Sequence, residues 1–399
     1  MSVANRPLRL FFVAGEHSGD QLGGKLIAAL SQLAGGRIVC AGVGGEAMAR
    51  EGCPSLFPLS EVAVMGPLAI ARRLPALIRR VHQTVEAALD FQPDALVILD
   101  SPEFTHPIAR RVKRKLPHLP VIDYVSPSIW AWRPGRARRM RRYIDHVLAI
   151  LPFEPAAHER LGGPPCTYVG HPLIERLNWI ETLRPEELAA RLGLAEGRPI
   201  VAALPGSRAS EVTRMIRPYG EALALITEKA GPVEVIVPTV DSVASLVHEG
   251  CRDWPVVPHF VTEEEEKFTA FRLADAALAT SGTVTLELAL AGTPMAVAYR
   301  VEPIVTLFRW MLKAHSIVLP NLILGQNAFP EFVQKEASPQ NLSRTILALL
   351  QRDSAERKEQ LAALKTLRVR MTLPSGTPSA RAAETIISCL GSAGRGKRD

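Results

Sequence analysis

Near its beginning the chain reads Leu8-Arg9-Leu10-Phe11-Phe12-Val13-Ala14 and then Gly15-Glu16-His17-Ser18-Gly19-Asp20. An apolar run that passes directly into a glycine-containing polar turn is typical of a buried strand leading into a helix. The run is too short for the apolar region of a secretory signal, and no small-x-small cleavage site follows it. We therefore interpret it as the first strand of an α/β domain.

Comparable apolar runs recur along the chain, and longer helical stretches separate them. Runs that are apolar on both faces indicate a parallel sheet, because helices cover both faces of such a sheet. A polar, helical stretch at 177–199 interrupts the pattern, which then restarts. The predicted strands are 8–14, 37–41, 95–99, 121–124, 146–150, 200–204, 233–237, 256–260, 276–279 and 294–298.

This rhythm predicts an α/β protein with two Rossmann-like, parallel-sheet domains. We expect an N-terminal domain at 1–180 and a second domain at 181–345. Residues 346–399 should supply C-terminal helices and a basic tail, with the helices free to pack back on the N-terminal domain. The segment 338–367 is helical by composition.

The composition narrows the class of protein. Among 399 residues, 47 Lys and Arg against 40 Asp and Glu leave a net charge of +7, which favours an anionic partner without selecting nucleic acid, phosphorylated metabolite or lipid. Five scattered cysteines without a C-x-x-C pair argue against a disulfide framework and a zinc site. No apolar run has the length of a spanning helix, which disfavours an integral membrane protein.

One motif suggests a nicotinamide cofactor. The run Gly42-Val43-Gly44-Gly45-Glu46-Ala47 matches the G-x-G-x-x-A dinucleotide fingerprint. It follows the second predicted strand, however, whereas the fingerprint normally occupies the first strand-to-helix turn, and Glu61 is only loosely placed as the ribose-binding acid. We therefore interpret this run as a tight glycine turn.

Two loops of the first domain follow predicted strands and carry polar side chains. Gly15 would let the backbone approach a ligand, and Ser18 or Asp20 would cap the next helix, whose N-terminus attracts anions. Asp100 ends another apolar strand, and ligands of open α/β sheets bind beyond the carboxyl ends of strands. A carboxylate there is a candidate general base, although Pro102 also fits an aspartate that merely caps a helix.

Two similar loops occur in the second domain: Leu204-Pro205-Gly206-Ser207-Arg208, with Glu211 just beyond, and Thr280-Ser281-Gly282-Thr283, with Glu287 one helical turn later. A guanidinium beside the N–H groups of a helix start suits a diphosphate, and Glu287 could accept hydrogen bonds from ribose hydroxyls. Either loop alone is compatible with ordinary capping. Together they predict a nucleotide-diphosphate site.

These loops belong to an ordered set of motifs: Gly15–Asp20, Ala63–Gly66, Tyr124–Trp132, Leu151–Glu154, Val169–Pro172, Leu204–Arg208, Ser281–Thr283 with Glu287, and Leu319–Leu322. In order and spacing the set resembles the lipid-A-disaccharide synthases, from about residue 8 to about residue 390. The Ser-Pro-Ser-x-Trp-Ala-Trp stretch within Tyr124–Trp132 is especially specific. The chain departs from the family at Glu103, where relatives have Asp, and at Ala69, where Glu is expected, so we assign no catalytic role to the segment around Ala69.

The resemblance implies a GT-B fold, in which the two domains face a central cleft, and an inverting, metal-independent glycosyltransferase of lipid A biosynthesis. The chain contains no Asp-x-Asp motif, which agrees with this. The implied donor is UDP-2,3-diacylglucosamine and the implied acceptor is 2,3-diacylglucosamine 1-phosphate. They are joined by a β-1,6 linkage with release of UDP. UDP is part of the donor, and no cofactor or metal is expected.

The resemblance also implies roles for individual residues. Asp100 is the expected base or acceptor-orienting group, with Glu16 as the alternative. Arg208 would hold the diphosphate and Glu287 the ribose, and Asn321 would lie near the nucleotide. The full set of implied substrate- or nucleotide-binding residues is Gly15, Ser18, Gly206, Ser207, Arg208, Glu211, Ser281, Gly282, Thr283, Glu287 and Asn321.

Acylated substrates require contact with a membrane, and the segment 62–82 is the candidate. Its apolar residues form one helical stripe and its arginines lie on the other side, as in an interfacial helix, although packing on the sheet would explain the same stripe. Pro75 is expected to mark the helix start near Leu74. The predicted membrane or acyl contacts are Leu68, Ile70, Leu74, Leu77 and Ile78. A second basic surface, Arg133–Arg142, follows Trp130 and Trp132.

Two other functions stay open. One is a sugar-nucleotide 2-epimerase, or another UDP-sugar transferase, on the same scaffold. The other is a basic nucleic-acid-binding protein, which would leave both loops of the second domain unused. We therefore expect no nucleic-acid partner. The expected partners are the two acylated sugars and an anionic membrane surface, with homo-oligomerisation left open, and the expected location is the cytoplasm, peripherally on the inner membrane.

Overall fold

The computed structural model describes residues 6–63, 67–300 and 315–395, and of 67–72 and 392–395 it describes the backbone alone. The chain divides into two compact units. The first comprises Met1–Pro172 and Leu373–Asp399, and the second comprises Leu173–Thr372. Each unit is built on its own parallel sheet.

The first unit contains a six-stranded sheet. Its strands are β1 (Leu8–Ala14), β2 (Ile38–Val43), β3 (Ala95–Leu99), β4 (Val121–Tyr124), β5 (His146–Ala149) and β6 (Cys166–Tyr168). They pair in parallel in the order β2-β1-β3-β4-β5-β6. The helices between them are α1 (His17–Leu33), α2 (Glu46–Arg50), α3 (Pro67–Phe91), α4 (Pro102–Lys115), α5 (Gly135–Met140) and α6 (Glu154–Arg160).

The second unit repeats this construction. Its described helices are α7 (Leu177–Thr182), α8 (Pro185–Leu192), α9 (Ala209–Ala230), α10 (Ala244–Gly250), α11 (Glu264–Leu273), α12 (Val284–Ala291), α13 (Leu319–Leu324), α14 (Pro339–Leu350) and α15 (Ala355–Met371). Its strands are β7 (Ile200–Leu204), β8 (Glu234–Pro238), β9 (His259–Val261), β10 (Ala276–Thr280), β11 (Met295–Tyr299) and β12 (Glu331–Val333). They pair in parallel in the order β12-β11-β10-β7-β8-β9.

The last helix, α16 (Pro378–Arg395), returns to the first unit. Its residues Ala382, Ala383 and Ile386 are fully buried in the same apolar cluster as Leu26 of α1. The Arg381 guanidinium donates to the Tyr168 carbonyl at 3.1 Å. The expected C-terminal segment 346–399 is thus divided, because α15 stays with the second unit, and the expected tail is helical as far as Arg395.

The boundary between the units falls at Pro172 rather than at 180. Helix α7 explains the difference, because it is tied to the second unit. The Arg272 guanidinium of α11 donates to the carbonyls of Ile180 and Leu183 at 3.0 and 2.5 Å, and both of these side chains are buried. A polar surface pattern in the sequence does not reveal which sheet such a helix joins.

Four strands have the predicted bounds, and the other predicted strands differ by one to three residues at an end. Strands β1, β3, β4 and β7 agree residue for residue, because buried parallel strands are continuous apolar runs. The run 256–260 instead forms β9 at His259–Val261. Two edge strands, β6 and β12, were not predicted, since each is a half-buried run of three residues without an apolar pattern.

One helix expectation was wrong, and the other, a helical segment at 338–367, was confirmed. Helix α3 begins at Pro67 and contains Pro75 inside it, so Pro75 does not mark its start. The helix tolerates the lost N–H bond there. The segment 338–367 forms two helices, α14 and α15, because the Ser354 hydroxyl accepts from the N–H of Arg357 and starts a new helix.

Candidate active site

In each unit the predicted loops lie side by side because of the strand order. In the first sheet the chain leaves β1 toward β2 and later returns to β3 on the other side, which makes a crevice at the carboxyl ends of β1 and β3. Ala14 pairs with Leu99, so the loops that follow them are neighbours. In the second sheet, β7 and β10 stand in the same relation, and Leu204 pairs with Ala279.

The crevice of the first unit holds a carboxylate cluster. The Ser18 hydroxyl donates to Asp100 Oδ2 at 3.1 Å, and the Ser101 N–H donates to Asp100 Oδ1 at 2.7 Å. The Ser101 hydroxyl donates to Glu16 Oε1 at 3.5 Å. The structure therefore places Asp100, Glu16 and Ser18 in one cluster, and Asp100 is half-buried.

The backbone around Asp100 is strained. Asp100 and Ser101 have φ angles of 52° and 43°, and Val125, which follows the neighbouring strand β4, has a φ of 81°. Such angles cost of order 1–3 kcal/mol per non-glycine residue and concentrate at functional sites. A Cβ at Gly15 would lie 2.4 Å from the Ser101 Cβ, so glycine is required there. The surrounding chain thus holds the Asp100 carboxylate in one position.

The G-x-G-x-x-A run is a turn filled by a side chain of this protein. Asp20 is fully buried and accepts from the N–H groups of Gly45, Ala47 and Met48 at 2.7, 3.0 and 3.0 Å. These amides at the start of α2 are the groups that a dinucleotide phosphate would need. Because the Asp20 carboxylate already occupies the position that faces these amides, the turn has no room for a phosphate.

The second unit contains a cavity of about 310 Å³ at the carboxyl ends of β7 and β10. Each predicted residue of the two loops lines it, namely Gly206, Ser207, Arg208, Glu211, Ser281, Gly282, Thr283 and Glu287. The cavity thus combines two helix N-termini with a guanidinium, as a diphosphate requires.

Glu211 organises the basic side of this cavity. Its carboxylate accepts from Arg208 Nη1 at 2.9 Å and from the Ser207 N–H at 3.2 Å. Arg208 remains 62% exposed and can therefore reach a ligand. Gly206 has a φ of 130°, and a Cβ there would lie 2.5 Å from the Glu211 Cβ. Glu211 thus positions Arg208 and the loop backbone.

Other cavity residues were not predicted from the sequence. Lys267 of α11 pairs with Glu287 at 3.0 Å and holds that carboxylate at the wall. The Thr239 hydroxyl lines the cavity, is buried, and has no hydrogen-bond partner among the described residues. Thr239 follows β8, so the strand-end rule could have found it. No sequence signal marks Lys267, because it lies within a helix.

The side chains of two predicted site residues form hydrogen bonds with the backbone of the protein. Asn321 is fully buried, and its amide donates to the Phe329 carbonyl and accepts from the Phe329 N–H, both at 2.9 Å. It is not among the residues that line the cavity. Ser281 does line it, but its hydroxyl donates to the Ile317 carbonyl at 2.8 Å. Asn321 therefore acts as a structural clamp here, and its expected place beside the nucleotide stays a prediction.

The predicted apolar stripe borders a groove between α3 and α4. This groove measures about 380 Å³, and its wall includes Leu74, Leu77, Ile78 and Ser101. Leu74 and Ile78 are 49% and 50% exposed, whereas Leu77 packs against the core. The groove therefore begins beside the Asp100 cluster. The side chains of Leu68 and Ile70 and the motif residues 64–66 lie outside the described residues.

Several motif residues stabilise the first unit. Burial raises the pKa of Glu154 to about 7, and its carboxylate accepts from the Leu151 N–H and from Trp130 Nε1 at 3.0 and 3.3 Å. Burial lowers the pKa of His158 to about 4, and His158 Nε2 lies 2.8 Å from the Ser126 hydroxyl. These contacts join the Tyr124–Trp132 and Leu151–Glu154 motifs to each other.

Comparison with known proteins identifies the family. A family model described as lipid-A-disaccharide synthetase matches residues 10–377. The chain belongs to the lipid-A-disaccharide synthase family. Lipid-A-disaccharide synthases of Rhodopseudomonas palustris (strain HaA2) and Nitrobacter hamburgensis are 46% and 45% identical to it, over 96% and 98% of this chain and 96% and 97% of theirs. The predicted family and glycosyltransferase function in lipid A biosynthesis are confirmed.

Solved structures confirm the predicted GT-B fold class of this lipid-A-disaccharide synthase family member. A UDP-GlcNAc 2-epimerase of Neisseria meningitidis, bound to UDP-GlcNAc, matches with a TM-score of 0.61 at 12% identity over 96% of this chain and 100% of that chain. MurG of Acinetobacter baumannii matches with a TM-score of 0.54 at 13% identity over 97% and 100%. At such identities the likeness shows the fold alone.

Proposed function

We propose that the protein joins UDP-2,3-diacylglucosamine to 2,3-diacylglucosamine 1-phosphate through a β-1,6 linkage and releases UDP. The observation that carries this proposal is the family match over residues 10–377. The carboxylate cluster of the first unit and the loop cavity of the second unit are consistent with it. An epimerase rests only on a fold likeness at 12% identity.

The reaction needs a base and a stabilised leaving group. The acceptor 6-hydroxyl attacks the donor anomeric carbon on the face opposite the diphosphate. The Asp100 carboxylate accepts the hydroxyl proton while the new C–O bond forms. The bond from the anomeric carbon to the diphosphate oxygen breaks, and UDP leaves with its electron pair. Glu16, which accepts from the Ser101 hydroxyl, is the alternative base.

The second unit supplies the donor site in this proposal. Arg208 and the N–H groups at the start of α9 and α12 neutralise the charge that develops on UDP. Glu287, held by Lys267, accepts from the ribose hydroxyls. These groups suffice for the leaving group, so the reaction requires no metal and no further cofactor.

The groove between α3 and α4 accounts for the lipid substrates. Its apolar wall next to Ser101 suits an acyl chain whose sugar lies at Asp100. Among the described residues, no helix has the length and apolarity of a membrane span. We propose that the protein acts in the cytoplasm, peripherally on the inner membrane, held there by exposed apolar side chains and by attraction to anionic lipid.

Incubation of the purified protein with both acylated sugars tests this function. UDP should appear only when donor and acceptor are both present. Absence of UDP under those conditions would overturn the proposal. Conversion of non-acylated UDP-N-acetylglucosamine to its 2-epimer would instead support the epimerase. Salt-sensitive retention of RNA without UDP turnover would support nucleic-acid binding.

A further inference from the structure

A second cavity borders α4, between this helix and α5. It measures about 230 Å³, and its wall includes Arg110, Arg133, Arg136, Arg139, Glu103 and His106. Four guanidinium groups therefore surround a space that contains a single carboxylate. Neither the donor site nor the carboxylate cluster uses any of these arginines.

The charge of this arginine cavity is largely uncompensated. Glu103 accepts from Arg136 Nη2 at 2.9 and 3.2 Å. Within residues 6–63, 67–300 and 315–395, no carboxylate forms an ion pair with Arg110, Arg133 or Arg139. Uncompensated guanidinium groups that converge on one space are a typical site for a phosphate.

Aromatic rings lie against three of these arginines, and the third, Arg136, has its guanidinium carbon 5.9 Å from the centre of the Trp132 ring. The Arg133 guanidinium carbon lies 4.3 Å from the centre of the Trp132 ring, and that of Arg110 lies 5.1 Å from the centre of the Tyr143 ring. Stacking occupies the flat face of a guanidinium and leaves its N–H edge available for a planar or bidentate partner. These arginines thus present N–H donors in fixed positions rather than a diffuse basic surface.

The arginine cavity lies close to the proposed reaction site. Pro102 and Glu103, which line it, follow Asp100 and Ser101 directly in the chain. The apolar groove between α3 and α4 shares Glu103, Pro107 and Arg110 with it. A single amphiphilic sugar at Asp100 would thus have an apolar groove and a cationic cavity within reach.

We propose that this cavity binds the phosphate monoester of the acceptor sugar while an acyl chain of the same molecule occupies the groove between α3 and α4. This assignment rests on the proposed function. It explains how the site distinguishes the acceptor from the donor, because only the acceptor carries a phosphate monoester. The headgroup of an anionic phospholipid has similar chemistry, so the experiment must distinguish these two sources.

The test compares the acceptor with an analogue that lacks the 1-phosphate, in neutral detergent micelles free of anionic lipid. The variants are Arg133→Gln and Arg139→Gln, whose arginines line the arginine cavity and not the apolar groove, and the matched control is Arg141→Gln, an exposed arginine that does not line the arginine cavity. We expect kcat/KM for the phosphorylated acceptor to fall about 10- to 100-fold in each variant, the usual effect of losing a charged hydrogen bond. For the analogue lacking phosphate, kcat/KM should stay within twofold or so of the wild type, and the donor KM should not change.

Three results would overturn the assignment. An equal loss on both acceptors would mean that the arginines act only through the fold, and a lower midpoint of thermal unfolding in Arg133→Gln than in Arg141→Gln would accompany that loss. A rise in the donor KM would assign the cavity to the diphosphate. Unchanged kinetics with weaker binding to phosphatidylglycerol vesicles would assign it to lipid headgroups. If the wild type itself releases no UDP from the two sugars, the proposed function fails, and this assignment fails with it.

Discussion

At the scale of single residues, Asp100 shows why position matters more than residue type. The chain contains 40 acidic residues, yet Asp100 combines a left-handed backbone with two donors on its carboxylate. Asp20 is also an aspartate and lies after the neighbouring strand, but three backbone N–H groups satisfy it. The first carboxylate is the proposed base, and the second is engaged in the fold.

The substitution Asp100→Asn tests this distinction. Asparagine tolerates a positive φ and keeps the side-chain shape, so the loop should remain folded. Loss of the base should lower kcat by about 10²- to 10⁴-fold, while UDP affinity, measured by calorimetry, should not change. Glu16→Gln is the comparison variant. Turnover near the wild-type value in Asp100→Asn, with a strong loss in Glu16→Gln, would transfer the role to Glu16.

A buried histidine predicts a pH dependence of stability. His158 has its pKa lowered to about 4 by burial, while an unfolded histidine titrates near 6.5. As the pH falls from about 6.5 toward 4, the unfolded chain binds the proton and the folded chain does not, so folding is destabilised. Between pH 7 and pH 5, the free energy of unfolding should fall by about 2 kcal/mol less in His158→Gln than in the wild type.

Urea unfolding at both pH values measures this difference. Glu154 contributes with the opposite sign, since its raised pKa costs stability as the pH rises from about 4.5 to about 7. The contribution of Glu154 is the same in the wild type and in His158→Gln, so it cancels when the two proteins are compared. Identical pH profiles for the wild type and His158→Gln would contradict a neutral, buried His158.

At the scale of elements, helix α3 is the proposed site of membrane contact. Leu74 and Ile78 are half exposed at the apolar groove, whereas Val81 on the same stripe is buried. One end of the stripe thus faces outward and the other supports the core. Core packing therefore accounts for one end of the stripe, and membrane contact stays a proposal for the exposed end.

The double substitution Leu74→Glu with Ile78→Glu should weaken binding to vesicles that contain phosphatidylglycerol by about tenfold or more, because two apolar contacts are replaced by charges that anionic lipid repels. Vesicle sedimentation measures the binding. The matched control is Val257→Glu with Val369→Glu, two apolar residues of the second unit that are 87% and 76% exposed. Equal vesicle binding by the two double variants would contradict a membrane role for α3.

At the scale of the whole molecule, the predictable features are those that a continuous run of residues encodes. The central strands were predictable because they are apolar on both faces, and the loops at Asp100, Arg208 and Ser281 were predictable because they follow those strands. Features that depend on distant partners were not. The sequence does not show that Lys267 pairs with Glu287, or that Asn321 binds Phe329.

The proposed roles of the side chains predict a reaction that needs no bound metal ion. Because Arg208 and helix N-termini stabilise the leaving group, millimolar EDTA should leave the rate of UDP release unchanged. The measurement is the initial rate with and without the chelator, after dialysis. Loss of activity that returns on addition of Mg²⁺ would contradict this account of the leaving group.

The most direct test of the account is the structure of the product. The wild-type protein, given both acylated sugars, should form a tetra-acylated disaccharide 1-phosphate, and NMR should show a β linkage to carbon 6 of the acceptor. Inversion at the anomeric carbon follows from attack opposite the diphosphate. A product with an α linkage, a free acylated sugar, or a 2-epimer of the donor would contradict the account.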